Sequence, residues 1–222
     1  IERGKWNQEL ILRMIRMAEL RDPGETAAHV QRVSAISAEI YSQWARNHNI
    51  DPFEAKQFSD LLRPAAMLHD VGKIGIPDEV LKKPGRLNDD EFELIKLHTI
   101  YGANLFENTA SDLDQMCRDI ALNHHERWDG TGYPGYYSGC IVIYDQNKRP
   151  KQGKEIPLAA RVVALADVID ALASKRVYKQ AWPMEDIYRL IREESGHHFD
   201  PDLAEATLQI TEIIEAIQER YK

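Results

Sequence analysis

The sequence predicts an all-α domain interrupted by one long irregular loop. Apolar residues recur at helical period along most of its 222 residues. Pro, Gly, Asp and Asn punctuate those runs at helix-length intervals. A single stretch, residues 126–156, is rich in Gly, Tyr and Pro and lacks helical period.

Taken in order, residues 6–20 place Trp6, Leu10, Ile11, Met14, Ile15, Met17 and Ala18 on an amphipathic helix, ended by Asp22-Pro23-Gly24. A second helix is expected from about Glu25 to Asn47. Asp51-Pro52 opens a third, carrying Phe53, Phe58, Leu61 and Leu62, with a break at or near Pro64. The segment from Ala65 to Val71 brings His69-Asp70 to its C-terminal end. Ile76-Pro77-Asp78 starts a short helical turn that Lys83-Pro84-Gly85 stops. Asn88 suits the N-cap of a helix carrying Phe92, Leu94, Ile95 and His98, and Ser111 caps another that runs to His124. Within the irregular loop, Cys140-Ile141-Val142-Ile143-Tyr144 has strand character, so a small hairpin near 140–150 is expected. Pro157 opens a long apolar helix to about Ala173, and two more follow near 184–195 and 201–221.

Bulk properties narrow the function. Apolar residues make up 43% and charged residues 29%, as in ordinary globular domains. No apolar stretch is long enough for a membrane span. Net charge is −8, which argues against general basic attraction to long nucleic acid. Cys117 and Cys140 form no CxxC pair and read as reduced thiols of a cytoplasmic protein. The chain opens at Ile1 without an initiator Met, so it is expected to be part of something longer. On that reading residues 1–21 are a linker helix from an upstream sensor or receiver region, and 22–222 are the catalytic domain. The linker helix is expected either to pair with its copy in a homodimer or to pack on the domain's own core.

The chemistry-bearing residues are His and acids. His69-Asp70 follows the apolar run Ala65-Ala66-Met67-Leu68, and a carboxylate there needs a partner, for which a cation is the natural choice. Glu25 and His29, four apart, share a helix face. The spacing suits a ligand pair, but taken alone it reads first as an acid at a helix N-terminus with a histidine beneath it. His98 alone reads as a packed or surface histidine. His124-His125 open the Gly-rich stretch Arg127-Trp128-Asp129-Gly130-Thr131-Gly132-Tyr133-Pro134, which can hold groups at fixed angles around a site. Asp167 and Asp170 lie in a very apolar helix, where ionised carboxylates need compensation. Asp167 suits a metal ligand, and Asp170 suits a residue that orients one. Imidazoles and carboxylates are the donors that hold first-row metals, and two such metals activate water and clamp an in-line displacement at phosphorus. His48 ends a helix, where a cation suits the dipole, and His197-His198 read as local structure.

Taken together, these segments resemble the HD-GYP family of cyclic-dinucleotide phosphodiesterases. The resemblance rests on E-T-A-A-H-V-Q-R-V (25–33), L-H-D-V-G-K-I-G-I-P-D (68–78), His98 followed by Gly102, and H-H-E-R-W-D-G-T-G-Y-P (124–134). It continues through I-P-L-A-A-R-V-V-A-L-A-D-V-I-D-A-L (156–172), Arg176-Val177-Tyr178-Lys179 and Phe199-Asp200-Pro201. It implies an HD-domain helical bundle and bacterial second-messenger hydrolysis of cyclic di-GMP to pGpG, in some members on to GMP. It also implies two or three metal ions, usually iron, with manganese an option. By position, His29, His69, Asp70, His98, His124, His125 and Asp167 are implied ligands, and Glu25 is the extra carboxylate of three-metal members. Asp70 matches the bridging carboxylate and, with Lys73, the catalytic pair; Lys73 matches a lysine on the scissile phosphate, and Arg176 and Lys179 match basic groups on substrate. Gly132, Tyr133 and Pro134 match a segment tied to contacts with GGDEF-domain proteins. Two other outcomes stay open: a preference for cyclic GMP-AMP, and a cyclic-dinucleotide-binding module with little catalysis.

The sequence departs from the family in two places. Thr99 follows His98 where Pro is usual, and little effect is expected. The stretch between Pro134 and Ile156 is about 14 residues longer than usual. It carries Tyr136, Tyr137 and Tyr144, and surface decoration or partner contact is preferred over a lid or a guanine-stacking role.

Overall fold

The structure is a computed structural model that describes residues 26–107, 111–136, 149–174 and 180–221. The expected helix 6–20 with its dimer role, Glu25, the hairpin near 140–150 with Cys140, and Arg176 and Lys179 lie outside those residues. Among the described residues every regular element is helical, and the only bridge is an isolated one between Ser195 and Phe199.

Helix α1 (Ala27–Asn47) is the central rod, bounded by α2 (Pro52–Ala66), α7 (Leu158–Ala173), α9 (Pro201–Leu208) and α10 (Thr211–Arg220). It buries Val33, Ile36 and Ile40 completely, and because neighbours lie on several sides its buried residues are not confined to one stripe. The same core takes Leu62 from α2, Ile120 from α6 (Asp112–Asn123), and Val162, Leu165 and Ile169 from α7. Ile187 of α8 (Met184–Glu193) and Leu203 of α9 complete it. Removing this much branched aliphatic surface from water is the main stabilising term.

Capping explains where the helices start. The Thr26 hydroxyl accepts the His29 amide at 3.1 Å, and one Asp51 carboxylate oxygen accepts the Phe53 and Glu54 amides. Asn88 and Glu91 form a reciprocal capping box at α4 (Asp89–Lys96), and Ser111 accepts the Asp114 amide at α6. Pro64 lies inside α2, which ends two residues later at Ala66.

Local breaks differ from the periodic pattern at three points. His69 and Asp70 sit in the turn just beyond α2, followed by a 3₁₀ helix, Val71–Gly75, and by the short α3 (Asp78–Leu81). His98 does not ride on the helix of Phe92; α4 stops at Lys96 and His98 begins α5 (His98–Asn104). The His98 ring and the Thr99 hydroxyl take the carbonyls of Ile95 and Lys96, which a continuous helix would offer to main-chain amides. The expected helix 201–221 is two helices, because Ile210 leaves helical geometry (φ −126°, ψ 27°) and lets Leu203 and Ile214 enter one core.

Candidate metal centre

Five separate pieces of chain deliver the site. α1 supplies His29 from its first turn, and the turn after α2 supplies His69 and Asp70. His98 comes from the start of α5, His124 and His125 from the end of α6, and Asp167 from the middle of α7. The structure brings together seven of the eight residues expected as ligands, Glu25 being outside the described residues. They fall into two sets, Asp70, His98, His124 and His125, and His29, His69 and Asp167. Within each set one donor atom per residue lies within 4.8 Å of the others.

Asp70 lies between the sets. Its Oδ1 is 3.1 Å from His98 Nε2 and 3.5 Å from His124 Nε2, while Oδ2 is 3.2 Å from His69 Nε2. His29 Nε2 and His69 Nε2 lie 3.7 and 3.9 Å from Asp167 Oδ1. Lys73 places its Nζ 2.7 Å from Asp70 Oδ2 while a share of its side chain stays exposed.

The tautomers follow from the other ring nitrogens. His69 Nδ1 faces the Ala66 carbonyl at 2.8 Å, His98 Nδ1 that of Ile95 at 2.6 Å, and His124 Nδ1 that of Ile120 at 3.0 Å. Carbonyls only accept, so each Nδ1 donates and the neutral ring turns the lone pair of Nε2 inward. His29 does the same through the Asp170 carboxylate, 2.7 Å from its Nδ1. Lone pairs therefore meet carboxylate oxygens, and buried Asp70 Oδ1 accepts no hydrogen bond of good geometry. His98 Nε2 and His124 Nε2 approach to 3.4 Å. Acceptors packed on acceptors call for cations between them, and this donor set fits divalent metal ions.

The electrostatics agree. Burial alone would raise the Asp70 carboxyl, but the positive charge of Lys73 leads the interactions that outweigh it and hold it well below the usual carboxylate range. Burial pushes His125 well down, with His124 and His98 adding to it, and burial lowers His124 against the pull of Asp70. Neutral imidazoles are the form that ligates.

Glycines allow the close approaches. A Cβ on Gly72 would lie 1.9 Å from the His98 carbonyl oxygen and 2.3 Å from the Gly102 amide, so only glycine lets the Asp70 turn lie against α5. A Cβ on Gly132 would lie 2.4 Å from the Arg127 amide and 2.6 Å from the His125 carbonyl oxygen. That contact folds the Gly-rich loop back under the twin histidines. Tyr133 then stacks on His125 (centroids 4.8 Å apart, planes at 22°), and Pro134 is buried. The loop is held from the far side by the carbonyls of His198 and His197, which accept the amides of Trp128 and Asp129. The structural role expected for those two histidines corresponds to that contact, and burial lowers His198 to about 4.

Two residues near the site escaped the sequence reading. Arg32 grips Asp170 through Nε (2.5 Å) and Nη2 (3.0 Å); its sequence signal is its place in the 25–33 segment, one turn after His29. Glu126, almost fully buried, accepts the amides of Gly135 at 2.5 Å and Lys151 at 3.2 Å and so ties together the two described ends of the long loop. Its place directly after the twin histidines was the available signal. Asp170 fits the orienting part expected of it: it is wholly buried, and hydrogen bonds from His29 and Arg32 overcome burial to bring its pKa to about 2.

The HD domain family matches residues 26–172, and a second HD domain match covers residues 145–203. A relative named cyclic di-GMP phosphodiesterase, from Vibrio cholerae, is 41% identical over 96% of this chain and 41% of its own length. Another from the same organism, named 3'3'-cGAMP-specific phosphodiesterase 2, is 36% identical over 91% of this chain and 34% of its own length. The chain thus spans less than half the length of these two relatives. A crystal structure of a cyclic GMP-AMP specific phosphodiesterase from V. cholerae superposes with a TM-score of 0.61 at 19% identity, covering 95% of this chain and 53% of the other. That likeness speaks to the fold. The match over most of its length leads to one conclusion: the chain belongs to the HD domain family, and its sequence segments resemble those of the HD-GYP branch.

Proposed function

We propose that this domain is a metal-dependent phosphodiesterase that hydrolyses cyclic di-GMP to pGpG, and on to GMP if the linear product rebinds. The carrying observation is the convergence of imidazoles from four separate chain segments on Asp70 and on Asp167, which a fifth supplies. His29, His69 and Asp167 would hold one ion and His98, His124 and His125 another, with Asp70 placed between the two sets. Glu25 is the candidate for a third. Bound ions supply Lewis acidity toward phosphate oxygens and lower the pKa of water. The all-nitrogen and oxygen donor set suits iron or manganese.

The chain's own residues do the rest. Lys73, with its Nζ 2.7 Å from Asp70 Oδ2 and part of its side chain exposed, is the group whose ammonium would meet a non-bridging phosphate oxygen and balance charge building there. Arg176 and Lys179 grip the second phosphate. The buried hydrogen bonds behind His29, His69, His98 and His124 keep each ring from rotating as charge shifts. Tyr133 is committed to His125, so contact with a GGDEF-domain partner uses the exposed share of its ring beside Gly132. Cytoplasmic action belongs to the same proposal, and the free thiol of Cys117 agrees with it.

A second reading is favoured by the relative named for 3'3'-cGAMP: the same centre hydrolyses cyclic GMP-AMP faster than cyclic di-GMP. The two readings separate by kcat/KM on both dinucleotides.

The test is metal content per chain after anaerobic purification, paired with product analysis. Asp70→Ala is expected to abolish pGpG formation, by a factor of about 10³ or more, in a protein that keeps its helical spectrum. Undiminished turnover by a metal-stripped sample would refute the proposal.

A further inference from the structure

The C-terminal helix α10 lies beyond both spans matched by the HD domain family, residues 26–172 and 145–203. It nevertheless reaches the back of the metal centre. Gln218 Nε2 donates to Asp170 Oδ1 at 2.9 Å. Arg32 Nη1 donates to the Tyr221 carbonyl at 2.8 Å, while its Nε and Nη2 hold both oxygens of Asp170. The Ser174 hydroxyl accepts from Arg32 Nη2 at 3.0 Å. Asp170 in turn receives His29 Nδ1.

We propose that Gln218 and Arg32 are positioning residues for the ion held by His29, His69 and Asp167, and that α10 is a working wall of that centre. This rests on the reading that the cluster binds metal. Asp170 has no solvent to turn toward, so its orientation is set by the donors around it. His29 inherits that orientation through one hydrogen bond, which fixes both its tautomer and its ring plane. Ile214 anchors α10 in the core, so the end carrying Gln218 and Tyr221 is held at a fixed distance from α7. In the other set, His98 and His124 take their hydrogen bonds from the α4 and α6 carbonyls of Ile95 and Ile120, and among the described residues none of these bonds involves α10. The two ions should therefore respond differently.

The experiment titrates Mn²⁺ into the chelator-treated full chain, following heat and metal stoichiometry. Gln218→Met keeps the length and the packing but removes the donor. It is expected to weaken one ion of the wild-type complement about tenfold, the scale at which outer hydrogen-bond partners tune metal sites, and leave the other unchanged. Arg32→Lys, which retains charge but cannot bridge Asp170 and Tyr221, is expected to weaken the same ion more. Glu212→Gln, on the exposed side of α10, is expected to behave as wild type. Equal affinities in wild type and Gln218→Met overturn the inference, as does parallel loss of both ions with a fallen melting temperature. A wild-type chain that takes up no Mn²⁺ overturns the metal reading itself, which separates the two failures.

Discussion

Hydrogen bonds at single residues decide what the cluster can do. Four of the inward imidazoles, His29, His69, His98 and His124, are committed on the outer nitrogen, to a carbonyl or to Asp170, so most of the site is wired before any ion arrives. Asp70 is the pivot, facing one set through Oδ1 and the other through Oδ2. The glycines are equally specific. Gly72→Ala forces a methyl group into the His98 carbonyl, and neither backbone can yield without moving a ligand. The expected cost is about 3 kcal/mol in denaturant unfolding, together with a loss of bound metal. A variant as stable and as metal-replete as wild type would show that the turn is free to shift. Of these residues, His69, His98, His124, His125 and Asp167 were legible as metal-type donors because histidines and acids in apolar surroundings are chemically conspicuous. Gln218 carried no such mark, since an amide on a late helix looks like any solvated side chain.

At the scale of elements, helix starts were readable and helix ends were less so. Asn88, Ser111 and Asp51 announce themselves because a short polar side chain satisfies amides three or fewer residues away. The capping box can be tested: Asn88→Ala is expected to cost about 1 kcal/mol, read as a shifted urea midpoint with unchanged m-value and unchanged metal content. A change in metal content would mean that α4 orients His98 more directly than the break at Leu97 implies. That break, and the one at Ile210, were hidden from periodicity. Both arise where distant packing redirects the chain, Ile100 into a small cluster with Ala103 and Leu122, Ile214 into the main core. Local pattern holds no term for such demands.

For the whole molecule, α1 and α7 act together as spine and as ligand carriers, so stability and metal binding are coupled. Ions that bind only the folded chain stabilise it by about 2.7 kcal/mol at a hundredfold excess over Kd. Removing them with a chelator should lower the melting temperature by roughly 5–10 °C for a domain of this size. Superimposable melting curves with and without chelator would count against ions bridging the spine. Among the described residues no helix is long and apolar enough to cross a membrane.

The sequence by itself determined the helical class, the helix starts and the donor types, because these depend on neighbours a few residues away. It also spelled out the segments of a known family. Only the tertiary structure decided that seven of those donors share one centre, that they split into two sets around Asp70, and that α10 closes the back of one of them. Those facts depend on contacts between residues as much as 189 positions apart, such as Arg32 with Tyr221. Their geometry is set by how the helices pack around a common core, which no local stretch encodes.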